Sequence, residues 1–150
     1  MNYEEAMMIA LGRARMAMYT SNDVPVGAIV MDANRNLVSV GHNQRELMNE
    51  PTLHAELVAL KLASKALDSW RLDGCTLVTT LEPCLMCAGA ILESRISKLV
   101  IGAWDKKAGA CGSIWDVLRD GRSMHKVEVV SGILEKECSH ILSNFFSKRR

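Results

Sequence analysis

His54-Ala55-Glu56 and Pro83-Cys84-Leu85-Met86-Cys87 are the stretches of this chain whose residue types and spacing can do chemistry. Two thiolates and one neutral imidazole are borderline-soft donors that suit Zn²⁺, and the thiolates cancel its double positive charge. Three protein donors leave one corner of a tetrahedron open. That is the pattern of a catalytic zinc, whereas a structural zinc closes all four positions with protein. Glu56 supplies the remaining function: its carboxylate can take a proton from water at the open corner and hand it to a substrate. Residues i and i+2 point to different sides of a regular helix. The scheme therefore requires His54 at the very N-terminus of its helix, turned back over the first turn.

The elements that must position these residues are legible as periodic patterns. Leu53, Leu57, Val58, Leu60, Leu62 and Ala66 follow Pro51 and Thr52 at helical spacing, so a helix begins close to His54. Pro83 fits the opening of a second helix, running to about Ser94, because its missing N–H removes no hydrogen bond there. Cys84 and Cys87 then emerge on one side of the first turn, where the helix-end potential favours thiolate.

Around these two helices the chain reads as a helix over 3–19, a strand over 26–31 and a hairpin partner over 37–40. Further strands are expected over 75–80, 98–102 and 126–130, a short helix over 114–118 and a last helix over 134–146. Strands joined through helices favour a mostly parallel sheet covered on both faces, with the opening hairpin at one side. The expectation is an α/β chain: a three-layer α/β/α sandwich with a central mixed five-stranded sheet. Its site should lie at the C-terminal ends of strands and the N-terminal ends of helices.

With 150 residues, the chain suits a single domain over 1–150. Hydrophobic content of 49% with 23% charged residues is that of a soluble globular protein, and no stretch is long enough to span a bilayer. A net charge of +1 gives no global pull toward nucleic acid or membrane, so any such affinity must be local. Lys106, Lys107, Arg119, Arg122, Lys148, Arg149 and Arg150 are the candidates for phosphate contacts. Met1-Asn2-Tyr3-Glu4-Glu5 lacks the basic-then-apolar order of a secretory signal, and an odd count of five cysteines suits a reducing cytoplasm.

Simpler readings exist for the same residues. A Cys-x-x-Cys at a helix start after a strand also describes a thioredoxin-like redox pair, but His54-Ala55-Glu56 has no part in such chemistry. A structural zinc needs a fourth ligand. Cys75, Cys111, Cys138, His42, His125 and His140 are available by type, yet none stands at paired metal-ligand spacing with another.

The order His-x-Glu followed by Pro-Cys-x-x-Cys is the known signature of zinc deaminases acting on nucleosides and nucleobases, and the chain resembles that superfamily and its cytidine deaminase-like fold. Further segments narrow the likeness: Asp23-Val24-Pro25-Val26-Gly27-Ala28, Gly41-His42-Asn43, Glu50-Pro51-Thr52-Leu53, Leu81-Glu82, Asp105 through Ser113, and Leu142-Ser143-Asn144-Phe145-Phe146. Over nearly its whole length the chain is similar to the bacterial tRNA-specific adenosine deaminases. Leu85 and Trp104 stand at positions that vary among such proteins, and neither removes a ligand.

The resemblance implies hydrolytic conversion of adenosine to inosine at the wobble position of a tRNA anticodon loop, an arginine tRNA being the expected substrate. It also implies a homodimer with one zinc per subunit. Carried across by matched motif, His54, Cys84 and Cys87 hold zinc and Glu56 shuttles protons. Asn43 hydrogen-bonds the purine, while Val26 and the backbone at Ala55 shape the base pocket. Asp105 and the Phe145–Phe146 region, with Phe146 the expected contact, meet neighbouring nucleotides.

Overall fold

In a computed structural model that describes residues 1–149, α1 (Tyr3–Ser21) opens the chain. Its start is fixed by a capping box: the Asn2 side chain accepts from the Glu5 N–H while the Glu5 carboxylate accepts from the Asn2 N–H. β1 (Gly27–Met31) and β2 (Leu37–His42) form the expected hairpin. Asp32 shapes its turn by accepting from the N–H groups of Asn34 and Asn36. Then come α2 (Arg45–Met48), α3 (Ala55–Ala66), β3 (Thr76–Leu81), α4 (Leu85–Glu93), β4 (Lys98–Ala103), a 3₁₀ turn (Val117–Arg119), β5 (Glu128–Val130) and α5 (Glu135–Ser147).

The sheet order is β2-β1-β3-β4-β5. β1 lies between β2 and β3 and runs antiparallel to both, while β3, β4 and β5 are parallel. This is the mixed five-stranded sheet expected, with the hairpin at one side, though half of its pairings are antiparallel and it is less parallel than the strand–helix alternation favoured. The hairpin reverses the chain, and α3 then carries it over β1 to β3, so that two strands of one direction flank one of the other.

Two cores follow from strand alternation. Ala28, Val30, Leu77, Leu99 and Ile101 pack on one face with Ala59, Leu60 and Ala63 of α3 and Ala88 and Ile91 of α4. Ile29, Met31, Val78 and Val100 pack on the other with Met7, Ala10 and Leu11 of α1 and Cys138 and Ile141 of α5. Strands β1, β3 and β4 are buried on both faces along nearly their whole length, which is why β1 and most of β4 read as apolar runs, while β3 intersperses its apolar residues with the buried Thr76, Thr79 and Thr80. Truncating a fully buried residue such as Leu77 or Leu99 to Ala costs about 2–5 kcal/mol. Among the described residues no helix is long and apolar enough to cross a membrane.

Two local expectations are corrected. Residues 114–118 do not form one helix: Ile114 and Trp115 both donate to the Gly109 carbonyl, Cys111 bridges to Asp116, and helical turns begin only at Val117. Pro83 is not the first helical residue but precedes Cys84, the N-cap of α4, and its carbonyl accepts from the Ala110 N–H. The short helix α2 was not anticipated. Asp23, buried at 1% exposure, caps it by accepting from the N–H groups of Glu46 and Leu47.

Strand register collects the interesting residues at one pole. Gly27 pairs with His42, placing Val26 and Asn43 side by side, and the Asn43 N–H donates to the Val26 carbonyl at 3.1 Å. Leu81 pairs with Ala103, so the segments beginning at Glu82 and Trp104 leave the sheet together.

Candidate active site

His54 is the N-cap of α3, in extended conformation, and Cys84 is the N-cap of α4, also extended. This meets the geometric requirement of the sequence. Standing outside the first turn frees the imidazole from the i, i+2 divergence that would otherwise separate it from Glu56. His54 Nδ1 lies 3.6 Å from the sulfur of Cys84 and 3.6 Å from that of Cys87, and the three donor atoms lie within 4.8 Å of one another. Tetrahedral zinc with bonds of about 2.05 Å to nitrogen and about 2.3 Å to sulfur would hold N and S about 3.6 Å apart. The donor set and its spacing therefore fit zinc.

The thiols compete for a proton. The hydrogen bond from Cys87 and that with the His54 ring push Cys84 down to about 3, whereas the same thiol pairing and burial push Cys87 up. Among the described residues no further His, Cys, Asp or Glu joins the cluster. Of the alternative ligands, His125 Nε2 meets the Ile96 carbonyl at 2.6 Å, and the Cys138 sulfur packs beneath Gly102.

Glu56 sits in the first turn of α3 at 4% exposure. Burial pushes its carboxyl up to about 7, partly opposed by its own backbone N–H and the His54 ring. It lines a cavity of about 590 Å³ together with His54, Cys84, Val26, Asn43, Ala55, Asp105 and Phe146. The expected zinc ligands His54 and Cys84, with Glu56 and the expected base and flanking contacts Val26, Asn43, Ala55, Asp105 and Phe146, thus line one cavity, while Cys87 is fully buried and is not among its lining residues.

The Asn43 amide is fixed by two bonds: its Nδ2 donates to the Val24 carbonyl at 3.2 Å and its Oδ1 accepts from the Arg45 N–H at 3.1 Å. One N–H and one lone pair remain for a ligand. Asp105 Oδ1 caps its own turn, accepting from Lys107 and Ala108 N–H groups. Phe145 is buried and Phe146 half exposed, their rings meeting edge to face at 5.3 Å. A second cavity of about 400 Å³ shares Val24, Asn43, Arg45 and Phe146 with the first.

The phosphate candidates divide. Lys106 and Lys107 line the larger cavity. Arg119 is paired with Asp116 at 2.8 Å and Arg122 with Asp120 at 2.6 Å, while Arg149 lies over the Phe145 ring and donates to the Asn22 carbonyl. Lys148 is exposed, and Arg150 lies outside the described residues.

Glu82 was not singled out by the sequence reading as a site residue. At 2% exposure its carboxylate accepts from the N–H groups of Asp105, Cys111 and Ser113 at 2.9–3.0 Å and from the Ser113 hydroxyl. The 105–113 loop that walls the cavity is thereby tied to the turn that carries Cys84. One signal was available: an acid directly after a strand that is otherwise apolar or hydroxylic, between that strand and a metal ligand.

The cytidine and deoxycytidylate deaminase zinc-binding region matches residues 1–103. The tRNA-specific adenosine deaminase of Haemophilus influenzae is 47% identical over 147 residues, covering 98% of this chain and 84% of that protein. That of Aquifex aeolicus is 40% identical over 150 residues, covering 100% and 97%. A solved structure from work on A-to-I editing by tRNA:A34 deaminases superposes with a TM-score of 0.87 at 37% identity, covering 92% of this chain and 99% of that one. A guanine deaminase from Nitrosomonas europaea superposes with a TM-score of 0.78 at 28% identity, covering 96% and 84%. Matched by that family model over 1–103 and similar along nearly its whole length to these proteins, the chain belongs to the cytidine and deoxycytidylate deaminase family of zinc enzymes, on the side of the tRNA-specific adenosine deaminases.

Proposed function

We propose that this protein hydrolyses adenosine to inosine at the wobble position of a tRNA anticodon, through one zinc-dependent deaminase domain spanning 1–150. The observation that carries the reading is the meeting of Glu56, the three zinc donors and the fixed Asn43 amide around one cavity. Relatives that are 40–47% identical along most of the chain bear the corresponding name.

Zinc held by His54, Cys84 and Cys87 supplies Lewis acidity that brings the ionisation of water toward neutral pH. Glu56 accepts a proton from water as the new C–O bond forms at C6 of a flipped-out adenine, and delivers it to N1. It then moves the second water proton to the amino group, the C–N bond breaks, and ammonia leaves with inosine as product. Asn43 holds the purine edge, Val26 and Ala55 bound the base, and Asp105 and Phe146 meet the flanking nucleotides.

The finer parts of the proposal are an arginine tRNA as substrate, a homodimer, and work in the cytoplasm where tRNA is found. Leu47, Met48, Leu62 and Leu85 are exposed and offer apolar surface to a second copy. Sedimentation checks that part.

The guanine deaminase likeness supports a second reading, deamination of a free base or nucleotide. Incubating zinc-loaded protein with an arginine tRNA and, separately, with free bases, nucleosides and nucleotides decides between them. Inosine in the tRNA is the expected result. Turnover of a free base with none in tRNA overturns the proposal.

A further inference from the structure

The first residue beyond β4 is Trp104, which lines the same cavity as Glu56 and Asn43. At 36% exposure it is far more open than a core aromatic. The six-membered ring has a built seat. A Cβ placed on Gly112 would come 3.0 Å from Cζ3 and 3.2 Å from Cη2 of Trp104, so the ring rests on backbone that only glycine leaves bare, at φ +144°. The Arg119 guanidinium approaches the same point and is itself held by Asp116. Glu82 anchors this loop through the N–H groups on either side of Gly112. The indole is therefore held along one side and about one-third of the residue's surface is open to solvent.

Its neighbours have a matching character. Lys106 and Lys107 follow two and three residues on, are exposed, and line the cavity mouth. A held aromatic surface beside free cations is what single-stranded nucleic-acid binders use: bases stack on the ring and phosphates pair with the lysines. The chemistry at Glu56 also creates a need for it. Extruding one base into a pocket deprives the adjacent base of a stacking partner, and an external ring can replace it.

We propose that Trp104 is a stacking platform for the nucleobase adjacent to the target adenine, with Lys106 and Lys107 pairing with phosphates of the same RNA segment. The inference rests on the RNA-directed reading of the site and adds a specificity residue outside the base pocket.

The test uses the zinc-loaded full chain and an RNA hairpin carrying the target adenosine in its loop, with 2-aminopurine placed in turn on either side of it. For Trp104→Ala, Kd and KM rise about ten-fold or more, with the loss falling on these rather than on kcat, as for a lost base–aromatic stack. Trp104→Phe recovers most of the affinity. Binding quenches 2-aminopurine at one flanking position with the native protein and with Trp104→Phe, and not with Trp104→Ala. Unchanged Kd and quenching in Trp104→Ala overturn the platform, and inosine formed by the native protein shows that the parent reading stands. A native protein that binds the hairpin without forming inosine sinks the parent reading, while the Kd and quenching comparison still decides the platform. A native protein that binds no hairpin sinks both.

Discussion

The Glu82 carboxylate lies directly against the α-carbon of Gly109, with no room for even a methyl group between them. Three backbone N–H groups and the Ser113 hydroxyl converge on that carboxylate, which has no ion pair with a basic side chain among the described residues. Its charge is balanced by loop dipoles alone. The loop in turn takes its shape from the charge.

Glu82→Gln turns one oxygen into an NH₂ group that faces a backbone N–H whichever way the amide is rotated. Hydrogen bonds to a charged group are worth about 1.5–3 kcal/mol each, so a loss of roughly that size in denaturant stability is expected. Gly109→Ala should act in the same direction by pushing the carboxylate off its donors. Zinc content should stay at one per chain in both. Stability equal to native in both variants would remove Glu82 from its place as the organiser of the cavity wall.

The clustering of His54, Cys84 and Cys87, the place of Glu56 in the same cavity wall and all five strands were legible in the sequence because these rest on local signals: ligand spacing, helix starts and apolar runs. The sequence did not show that Glu82 and Asp23 are buried acids, because, Ser21 beside Asp23 apart, their partners lie 23 or more residues away and are mostly backbone amides, which every residue type offers. The pairing of β1 between β2 and β3 was hidden for a similar reason. An apolar strand does not say which neighbour it will choose. The ring that faces the cavity is Phe146 and the one that packs is Phe145, as helical phase with Ile141 and Leu142 suggests for at least one core ring.

Glu56→Gln keeps the volume of the side chain and removes its capacity to carry a proton. Positioned proton transfer contributes about 10²–10⁴-fold, so turnover of the tRNA adenosine should fall by about two orders of magnitude or more. Bound zinc should be unchanged, because Glu56 is not among the clustered donors. A variant with native turnover would assign the base elsewhere.

Thiol chemistry should report the metal. Cys84 is partly exposed, whereas Cys75, Cys87, Cys111 and Cys138 are buried, and burial pushes Cys138 up to about 12. Zinc-loaded protein should resist alkylation at every cysteine. Chelation should expose Cys84 first and lower the melting temperature, because an ion that binds only the native state stabilises it by mass action. Peptide mass mapping that found Cys111 or Cys138 modified before Cys84 would contradict this site.

RNA affinity should weaken as salt rises, since Lys106 and Lys107 can exchange counterions with phosphates. Each lysine changed to Ala should reduce the slope of log K against log salt by about 0.7, the single-strand value. Arg119 and Arg122 are already paired with Asp116 and Asp120, and their replacement should change the slope less. Equal slopes for all four variants would mean that ion pairing does not sort these cations.

His42 should make stability depend on pH. It ends β2 and is half buried; burial lowers its pKa below the ordinary 6.5, nearby Arg13 on α1 lowers it further, and Asp23 partly opposes them. The folded chain thus binds this proton less readily than the unfolded chain does. The stability linked to His42 is fully present above about pH 6.5 and is lost as pH falls toward the lower folded value. Denaturant midpoints for native protein and His42→Gln, taken at about pH 8 and about pH 5, should show the native protein losing more on acidification. Acid loss of zinc affects both proteins alike and cancels in the difference, provided the sites are independent. Parallel losses would mean that the imidazole is as well solvated folded as unfolded, and that its place at the end of β2 carries no proton linkage.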